Sequence, residues 1–305
     1  MNSKIVLAFT GSVLPIYLFL LKTLSRYLLP INCDKIKTLE KIMTHYKILF
    51  LDIDGTILRP DNTIEDSTKL AINELKQKGI EVFLATGRPL HEIAHLALEL
   101  NIQSFIGYNG AYAIHKGQDI FKAPMDSSTV ENFLEIAKDN EHKLVMYTHE
   151  KNIFTELESS IVKEFIQAFH MKKNEQFSQD DIDKILGITL FNLSENEPAL
   201  YEKAEPSIHL AQVNVDGLRH CYDVIRDQVN KGIAIQHVLE HLNISRSESI
   251  AFGDGMNDKE MLSYVGEGFA MGNGHPDLFQ YAKHKTTKVT DSGIYNGLKS
   301  LGLVE

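Results

Sequence analysis

The stretch KILFLDIDGT, Lys47–Thr56, joins a continuous apolar run to two carboxylates and a glycine. An unbroken apolar run of this length is typical of a strand buried on both faces, as in a parallel sheet. Asp52 and Asp54 follow at its carboxyl end, where open parallel sheets bind their ligands. Gly55 permits a sharp turn directly afterwards. The stretch therefore predicts a parallel-sheet core with a functional site at its edge.

Helix and strand patterns alternate along much of the remaining chain. The predicted elements are a helix over about 66–78, strands at Glu81–Thr86 and Ser104–Tyr108, a helix beginning near Pro89, a helix at Gly232–Leu242, and strands at Ser249–Asp254, Gly268–Gly272 and His284–Thr290. Such alternation predicts an α/β fold with a doubly wound parallel sheet.

Residues 122–217 have a different pattern, in which helices and strand-like segments do not alternate regularly. The predicted helices are Ser127–Asn140 and Ser159–His170, and the strand-like segments are 143–149, 185–193 and 207–215. This mixture predicts an α+β domain inserted into the first one. The core domain would then comprise residues 43–121 and 218–305.

Residues 1–42 differ from the rest in charge, with six basic and two acidic residues in a chain of net charge −10. Residues 5–21 carry no charge, but as a helix they would span about 26 Å, against a hydrocarbon core of about 30 Å. Three interpretations remain open. The segment would be a membrane anchor that leaves the following domain in the cytoplasm, a secretion signal, or a non-native extension upstream of a natural start at Met43.

The composition excludes several classes of protein. Of 305 residues, 43% are hydrophobic and 24% charged, which excludes a disordered chain, a fibrous repeat and a multi-span membrane protein. The net charge of −10 would repel the phosphates of a nucleic acid polymer. The two cysteines, Cys33 and Cys221, form no C-x-x-C pair, which argues against a disulfide framework and fits a cytoplasmic protein.

Carboxylates recur at a second predicted strand end. GDGMND, at 253–258, places Asp254 there, with Asn257 and Asp258 about one helical turn beyond. Carboxylates that converge in a buried site need a cation, because burying them unpaired costs several kcal/mol. Oxygen ligands favour Mg²⁺, which commonly binds one or two carboxylates together with a substrate phosphate. Lys231 and Thr86 would add a positive charge and a hydroxyl donor for the same phosphoryl group.

These motifs resemble those of the haloacid dehalogenase (HAD) superfamily, and within it the Cof-like phosphatases. Four motifs occur in the family's order: DIDGT at 52–56, Thr86 in ATGRP, Lys231 in NKGIA, and GDGMND at 253–258. Two further segments, NGA at 109–111 and FAMGNGHPDL at 269–278, match as well. The resemblance covers about 46–121 and 218–304 and implies a Rossmann-like core with residues 122–217 as a cap domain.

The resemblance also implies an activity, a HAD-type phosphoric monoester hydrolase that depends on Mg²⁺. Asp52 would be the nucleophile that forms an aspartyl-phosphate, and Asp54 the general acid and base. The substrate would be a small phosphate ester, such as a sugar phosphate, pyridoxal phosphate, FMN or a nucleotide. Three alternatives remain open: a phosphomutase, a non-catalytic protein that binds metal and a phospholigand, and a membrane-associated interaction protein that uses residues 5–21.

The remaining motif residues would bind the metal and the phosphoryl group. The resemblance implies that Mg²⁺ is held by Asp52, the backbone carbonyl of Asp54, and Asp254, with Asp258 as a further ligand or one that acts through water. It implies that the phosphoryl oxygens are held by Thr86, Lys231 and Asn257.

Overall fold

The computed structural model describes residues 45–213, 217–218 and 220–305. The interpretations of residues 1–42, of the uncharged run 5–21 and of a start at Met43 concern residues outside those ranges. Tyr46–Glu305 forms one compact unit. Within the described ranges, no helix has the length and apolar character needed to cross a membrane.

Two sheets account for the strands of the described residues. In chain order the strands are β1 (Ile48–Leu51), β2 (Glu81–Ala85), β3 (Ser104–Gly107), β4 (Tyr112–His115), β5 (Gln118–Lys122), β6 (Lys143–Tyr147), β7 (Asn152–Phe154), β8 (Asn174–Gln176), β9 (Gly187–Phe191), β10 (Ile208–Gln212), β11 (Tyr222–Arg226), β12 (Ser249–Gly253), β13 (Glu267–Ala270) and β14 (His284–Lys285). The α-helices are α1 (Asp66–Gln77), α2 (Ala94–Glu99), α3 (Ser127–Asp139), α4 (Ser160–Ala168), α5 (Pro198–Ala204), α6 (Lys231–Leu242), α7 (Lys259–Tyr264) and α8 (Gly293–Ser300).

The first sheet has the order β14-β13-β12-β1-β2-β3-β4-β5. Its strands run parallel from β14 to β3, and the hairpin β4–β5 adds two antiparallel strands at one edge. Strand β1 lies between β12 and β2, so the segments that follow these three strands meet at one edge of the sheet. The predicted parallel core is confirmed, whereas the hairpin has no counterpart among the predicted elements.

Alternation along β1 explains why helices cover both faces of this sheet. Leu49 and Leu51 belong to a buried cluster with residues of α1, α2 and α8. Ile48 and Phe50 belong to a second cluster, with residues of α6 and α7. Because the side-chain period of a strand is two, a strand that is apolar throughout needs apolar cover on both sides. The doubly wound arrangement therefore follows from the sequence of β1.

The second sheet has the order β10-β11-β9-β6-β7-β8 and is antiparallel except for β7 and β8. Helices α3 and α5 pack on one face, and α4 packs on the other. Strand β11 pairs with β10 and β9, so the second sheet extends to Arg226. The boundary predicted at 217–218 is therefore placed too early, because the half-buried strand Tyr222–Arg226 precedes the return of the chain to the first sheet.

Two predicted elements are shorter than the sequence patterns indicate. The strand predicted at His284–Thr290 pairs with β13 only through His284 and Lys285, and Val289–Asp291 forms a 3₁₀ turn. The helix predicted to begin near Pro89 is divided into a 3₁₀ turn at Leu90–Glu92 and the short helix α2. Val289, the apolar residue near the end of the predicted strand, is buried in that 3₁₀ turn. In the predicted helix, Leu96 is buried in α2, whereas Leu98 is 82% exposed.

Candidate active site

A buried lysine joins two carboxylates at the carboxyl edge of the first sheet. Asp52 follows β1, and its backbone N–H donates to the carbonyl of Phe252 in β12 at 3.0 Å. Lys231 Nζ donates to Asp52 Oδ1 and to Asp258 Oδ1, both at 2.6 Å. The Lys231 side chain is completely buried and that of Asp52 is 8% exposed. The three groups form a buried ion-pair network at the centre of the site.

The start of helix α6 positions Lys231. The Asn230 side chain accepts a hydrogen bond from the Ile233 N–H at 2.9 Å and so caps the helix. Gly110, in the loop after β3, has φ +103° and lies against this cap. A Cβ atom at Gly110 would lie 2.2 Å from the Asn230 carbonyl oxygen and 2.9 Å from the Lys231 nitrogen. The NGA triplet therefore provides the close backbone approach that fixes the first residue of the helix.

Asp258 organises the loop after β12. Its Oδ2 accepts hydrogen bonds from the backbone N–H groups of Asp254 and Gly255, both at 3.0 Å. Its Oδ1 accepts from Lys231, so both carboxylate oxygens have partners, and the residue is completely buried. Asp258 thus links the loop that carries Asp254 to the lysine.

Asp254 is oriented by two residues that the motif analysis did not single out as site residues. Thr56 Oγ1 donates to Asp254 Oδ1 at 3.1 Å. Asn273 Nδ2 donates to the Gly55 carbonyl at 2.8 Å and lies 3.4 Å from Asp254 Oδ2. Thr56 belongs to the motif DIDGT and Asn273 to FAMGNGHPDL. Their positions in these motifs could therefore have identified them as site residues.

Burial and mutual repulsion control the ionisation of this cluster. Burial, and then the Asp258 carboxylate, raise the pKa of Asp52 well above its usual range. The same two causes raise the pKa of Asp254 to about 6. Burial alone would lower the pKa of Lys231, but Asp258 and Asp52 outweigh it, and the pKa is raised. The cluster holds a permanent ammonium charge beside an excess of carboxylates, which is an environment that favours a further cation.

The carboxylate oxygens are arranged closely enough to share a metal ion. Asp52, Asp254 and Asp258 each offer an oxygen, and the three atoms lie within 4.8 Å of one another. Hard oxygen donors of this kind suit Mg²⁺. Because both oxygens of Asp258 already accept hydrogen bonds, its contact with an ion through water fits the structure better than direct coordination.

Asp54 lies apart from this cluster and is bound by an arginine. Arg88 Nε donates to Asp54 Oδ2 at 2.8 Å, and Arg88 Nη2 donates to Asp54 Oδ1. The side chains are 53% exposed for Asp54 and 38% for Arg88. Sequence reasoning did not select Arg88, although it stands in the ATGRP motif.

The predicted phosphate-binding residues surround the same edge. Thr86 is buried, and its Oγ1 accepts a hydrogen bond from the Arg88 N–H at 3.1 Å, which leaves the hydroxyl proton to donate elsewhere. Asn257 is exposed, and its Nδ2 donates to Asn109 Oδ1 at 3.0 Å. Asn109 has a positive φ of 53° and follows β3. Residues after four strands therefore converge here.

A cavity of about 830 Å³ lies between this edge and the second sheet. The first sheet contributes Asp52, Asp54 and Asp254 to its lining, and the second contributes Tyr147 and Asp223 among others. Such a volume is typical of a site for a small organic molecule.

Two other potentially reactive side chains are buried or hydrogen-bonded. The Nε2 atom of His91 lies 2.9 Å from Asn152 Oδ1. Cys221 is buried, and burial followed by the Asp223 carboxylate raises the pKa of its thiol to about 12. A thiol with so high a pKa is a poor nucleophile at neutral pH.

Known proteins resemble this chain in sequence. A family model described as haloacid dehalogenase-like hydrolase matches residues 49–298. YkrA of Bacillus subtilis (strain 168), which carries a provisional phosphatase name, is 33% identical over 263 residues, covering 85% of this chain and 99% of that protein. The 5-amino-6-(5-phospho-D-ribitylamino)uracil phosphatase YitU of the same strain is 27% identical, covering 83% and 96% of the two chains.

Solved structures resemble it in fold. A hypothetical protein from Geobacillus kaustophilus HTA426 superposes with a TM-score of 0.78 at 32% identity, covering 85% of this chain and all of that one. A HAD subclass IIB sugar phosphatase superposes with a TM-score of 0.72 at 25% identity, with the same coverage of both chains.

Proposed function

The chain belongs to the haloacid dehalogenase-like hydrolases, and from that premise we propose that it is a Mg²⁺-dependent phosphatase that works through an aspartyl-phosphate on Asp52. It is a phosphatase of this family that acts on small phosphorylated substrates. The observation that carries the proposal is the placement of Lys231 Nζ at 2.6 Å from both Asp52 and Asp258, beside Asp254. This arrangement combines a nucleophilic carboxylate with the charges needed to bind a phosphoryl group.

In the first step, an oxygen of Asp52 attacks phosphorus. The new bond is P–O to Asp52, and the bond that breaks is the ester P–O bond to the leaving alcohol. Lys231 holds the Asp52 carboxylate in place for this attack, because its hydrogen bond to Oδ1 fixes the plane of that carboxylate. In the second step, water attacks the same phosphorus, the P–O bond to Asp52 breaks, and orthophosphate leaves.

Asp54 is proposed as the group that moves the proton in both steps. It gives a proton to the oxygen of the leaving alcohol, and then takes one from the attacking water. Its partial exposure to the cavity suits this work, since the carboxyl group must meet both the alcohol and the water. Arg88 orients its carboxylate before substrate binds and must release one oxygen before Asp54 can carry the proton that it donates.

We propose that Mg²⁺ is held by Asp52, the backbone carbonyl of Asp54, and Asp254, with Asp258 acting through water. When bound, the ion neutralises the charge of the phosphoryl oxygens and of the surrounding carboxylates. Asp254 is prepared for this contact by Thr56, whose hydroxyl orients one of its oxygens.

Thr86, Lys231 and Asn257 are proposed to hold the phosphoryl oxygens. Thr86 has a proton to donate, because its oxygen already accepts from the Arg88 N–H. Lys231 supplies charge from a completely buried side chain. Asn257 offers an amide on the exposed side of the same edge, where Asn109 orients it. Donors placed on three separate segments would fix the phosphoryl group for attack in line with Asp52.

The substrate is proposed to be a phosphorylated metabolite with a leaving group of modest size. The cavity of about 830 Å³ sets this limit. Among the relatives, YitU is named as a phosphatase of 5-amino-6-(5-phospho-D-ribitylamino)uracil, and a protein of Cronobacter sakazakii as an HMP-PP phosphatase. Their names describe different leaving groups, so the choice for this chain depends on the residues of its own cavity.

The test is hydrolysis of p-nitrophenyl phosphate by the full chain, with Mg²⁺ and with EDTA. We expect Mg²⁺-dependent release of phosphate, loss of that activity in Asp52→Asn, and unchanged activity in Asp183→Asn, which alters an exposed carboxylate. Mass spectrometry of an acid-quenched reaction should find the phosphate on Asp52. Activity that survives Asp52→Asn would overturn the mechanism, and a folded protein that neither hydrolyses nor becomes labelled by a panel of phosphate esters would overturn the function.

The cytoplasmic location is a separate proposal. It rests on the two cysteines, which form no C-x-x-C pair and suggest no disulfide framework. Cell fractionation of the full chain beside a variant that starts at Met43 would test it. Identical distribution in the soluble fraction would remove the anchor interpretation of residues 5–21, and a membrane-bound full chain would support it.

A further inference from the structure

A hydrogen-bonded chain of three polar residues crosses the face of the second sheet that borders the cavity. Tyr147, Thr189 and Asp223 stand on the adjacent strands β6, β9 and β11. Asp223 and Thr189 are direct cross-strand partners. Tyr147 is paired with Gly187, two residues from Thr189, and therefore lies diagonally across from it on the same face. Tyr147 and Asp223 line the cavity, while Thr189 is buried behind them.

The hydrogen bonds of this chain run in one direction. Thr189 Oγ1 donates to Asp223 Oδ1 at 2.5 Å. A hydroxyl has a single proton, so the 2.9 Å contact between Tyr147 OH and Thr189 Oγ1 requires the tyrosine to be the donor. Both hydroxyl protons are thereby used within the chain. Its end at the cavity is the Asp223 carboxylate, which can only accept when it is ionised.

The cations of the cavity do not neutralise this carboxylate. Within the part of the chain that the structure describes, no lysine or arginine forms an ion pair with Asp223. Arg226, three residues further along β11, instead donates to the carbonyls of Ala123 and Leu186, at 2.8 and 3.1 Å. Burial raises the pKa of Asp223, partly offset by the bond from Thr189. Asp223 lines the cavity, so its carboxyl group presents accepting oxygens to that space whenever it is ionised.

We propose that Asp223 determines specificity by accepting a hydrogen bond from a hydroxyl or N–H group of the leaving alcohol. This inference rests on the proposed phosphatase function and concerns the part of the substrate away from phosphorus. A leaving group with such a donor satisfies the half-buried carboxylate. A leaving group without one leaves the carboxylate unpaired, and one with a second anionic group near Asp223 is repelled as well. The second sheet thus selects donor-bearing alcohols.

The direction of the chain strengthens the preference. If Tyr147 or Thr189 could turn a proton toward the cavity, the site would bind acceptors as readily as donors. Because both protons point toward Asp223, the cavity end keeps one polarity. A fixed polarity is what allows a site to reject an analogue that lacks the matching group.

The experiment compares three phosphate esters with six-carbon alcohols, using the full chain with Mg²⁺. Glucitol 6-phosphate offers hydroxyl donors, 6-aminohexyl phosphate offers N–H donors, and hexyl phosphate offers neither. We expect a higher kcat/KM for at least one donor-bearing ester than for hexyl phosphate. In Asp223→Ala that advantage should fall by roughly tenfold to a hundredfold, the loss of a hydrogen bond to a charged group. The kcat/KM for hexyl phosphate and for p-nitrophenyl phosphate should change little.

A second variant keeps the carboxylate and protects the test against misfolding. Tyr147→Phe removes only the first donor of the chain, and we expect a smaller loss of the same advantage. Asp183→Asn, on an exposed carboxylate, is the control and should match the wild type. The two donor-bearing esters together show whether a hydroxyl or an N–H group is preferred.

Three outcomes would overturn the inference. The wild type shows no preference for a donor-bearing ester, or Asp223→Ala lowers kcat/KM equally on all esters including p-nitrophenyl phosphate, or both variants keep the full preference. Failure of the proposed function looks different, because the wild type would then hydrolyse none of these esters in the presence of Mg²⁺. That result would overturn the specificity inference together with the function on which it rests.

Discussion

Arg88 donates hydrogen bonds to both carboxylate oxygens of Asp54, from Nε to Oδ2 at 2.8 Å and from Nη2 to Oδ1. The two residues follow the neighbouring strands β1 and β2 and are 34 residues apart in the chain. Their side chains are partly exposed, so solvent screens the attraction and the pair adds little stability. The bidentate geometry fixes the direction of the carboxylate, which matters for a group that must reach a leaving oxygen.

Arg88→Ala should therefore impair catalysis much more than stability. We expect kcat for an alkyl phosphate to fall by roughly tenfold to a hundredfold, because the acid is no longer held toward the leaving oxygen. p-Nitrophenyl phosphate should be affected less, since nitrophenolate leaves without a proton. The free energy of unfolding should change by less than about 1 kcal/mol. Equal losses on both substrates with a raised KM would indicate instead that Arg88 binds the phosphoryl group.

Lys231→Met should destabilise the protein and abolish activity. The substitution leaves Asp52 and Asp258 buried without their cation, at a cost of about 3–5 kcal/mol. Thermal or denaturant unfolding and phosphate release measure the two effects. Lys163→Met is the matched control, because Lys163 forms an exposed pair with Glu158 that should contribute less than about 1 kcal/mol. An active, fully stable Lys231→Met protein would contradict the role assigned to this lysine.

Gly110→Ala should displace Lys231 without touching the site directly. The new Cβ would meet the Asn230 carbonyl at 2.2 Å, so the start of α6 must shift. Positive φ adds about 1–2 kcal/mol of strain. Gly117 also has a positive φ, +82°, but open space around it, so Gly117→Ala carries the strain alone. We expect both variants to lose stability and only Gly110→Ala to lose kcat. Equal kcat values would show that the helix start tolerates the shift.

Asn152→Ala should loosen the contact between the two sheets. The buried Asn152 amide donates to Glu92 Oε1 at 2.9 Å and to the Lys172 carbonyl at 2.8 Å, and its oxygen meets His91. Removing the amide leaves these groups without a hydrogen-bond partner and should lower the free energy of unfolding by about 1–3 kcal/mol. We expect a lower melting temperature and a higher KM, measured beside the exposed control Asn140→Ala. An unchanged KM would show that this contact does not help to close the cavity.

The preference for donor-bearing esters should depend on pH through Asp223. Burial raises the pKa of this carboxyl above the usual value of about 3.9, so it gains a proton earlier as the pH falls. Tyr147 and Cys221, the titratable groups beside it, have pKa values raised by burial and stay neutral near pH 7. The ratio of kcat/KM for glucitol 6-phosphate to that for hexyl phosphate should therefore be highest above the raised pKa and decline below it.

The ratio removes effects common to both esters, such as protonation of phosphate or of the metal ligands. In Asp223→Asn the acid decline of the ratio should disappear, because the amide does not titrate. A decline of the same size in that variant would assign the pH dependence to another group.

Local sequence patterns predicted the first sheet well. Three of the four motifs follow strands, and those strands were predicted from runs of neighbouring apolar residues. Strand β11 was assigned to the wrong domain, because half-buried residues such as Asp223 and Arg226 weaken its pattern. The hairpin β4–β5 was missed for a similar reason, since β5 is largely exposed. Edge and half-buried strands take much of their stability from the partners they pair with.

The sequence by itself determined that a buried parallel strand ends in Asp52 and Asp54, because apolar runs and adjacent carboxylates are properties of neighbouring residues. Only the tertiary structure decided which charges meet. Lys231 binds Asp52, which lies 179 positions earlier in the sequence, and Arg88 binds Asp54 because β2 lies beside β1. The hydrogen bonds that link Tyr147, Thr189 and Asp223 require the register of three strands. Such contacts depend on strand order and on the packing of distant segments, which no local pattern of residues records.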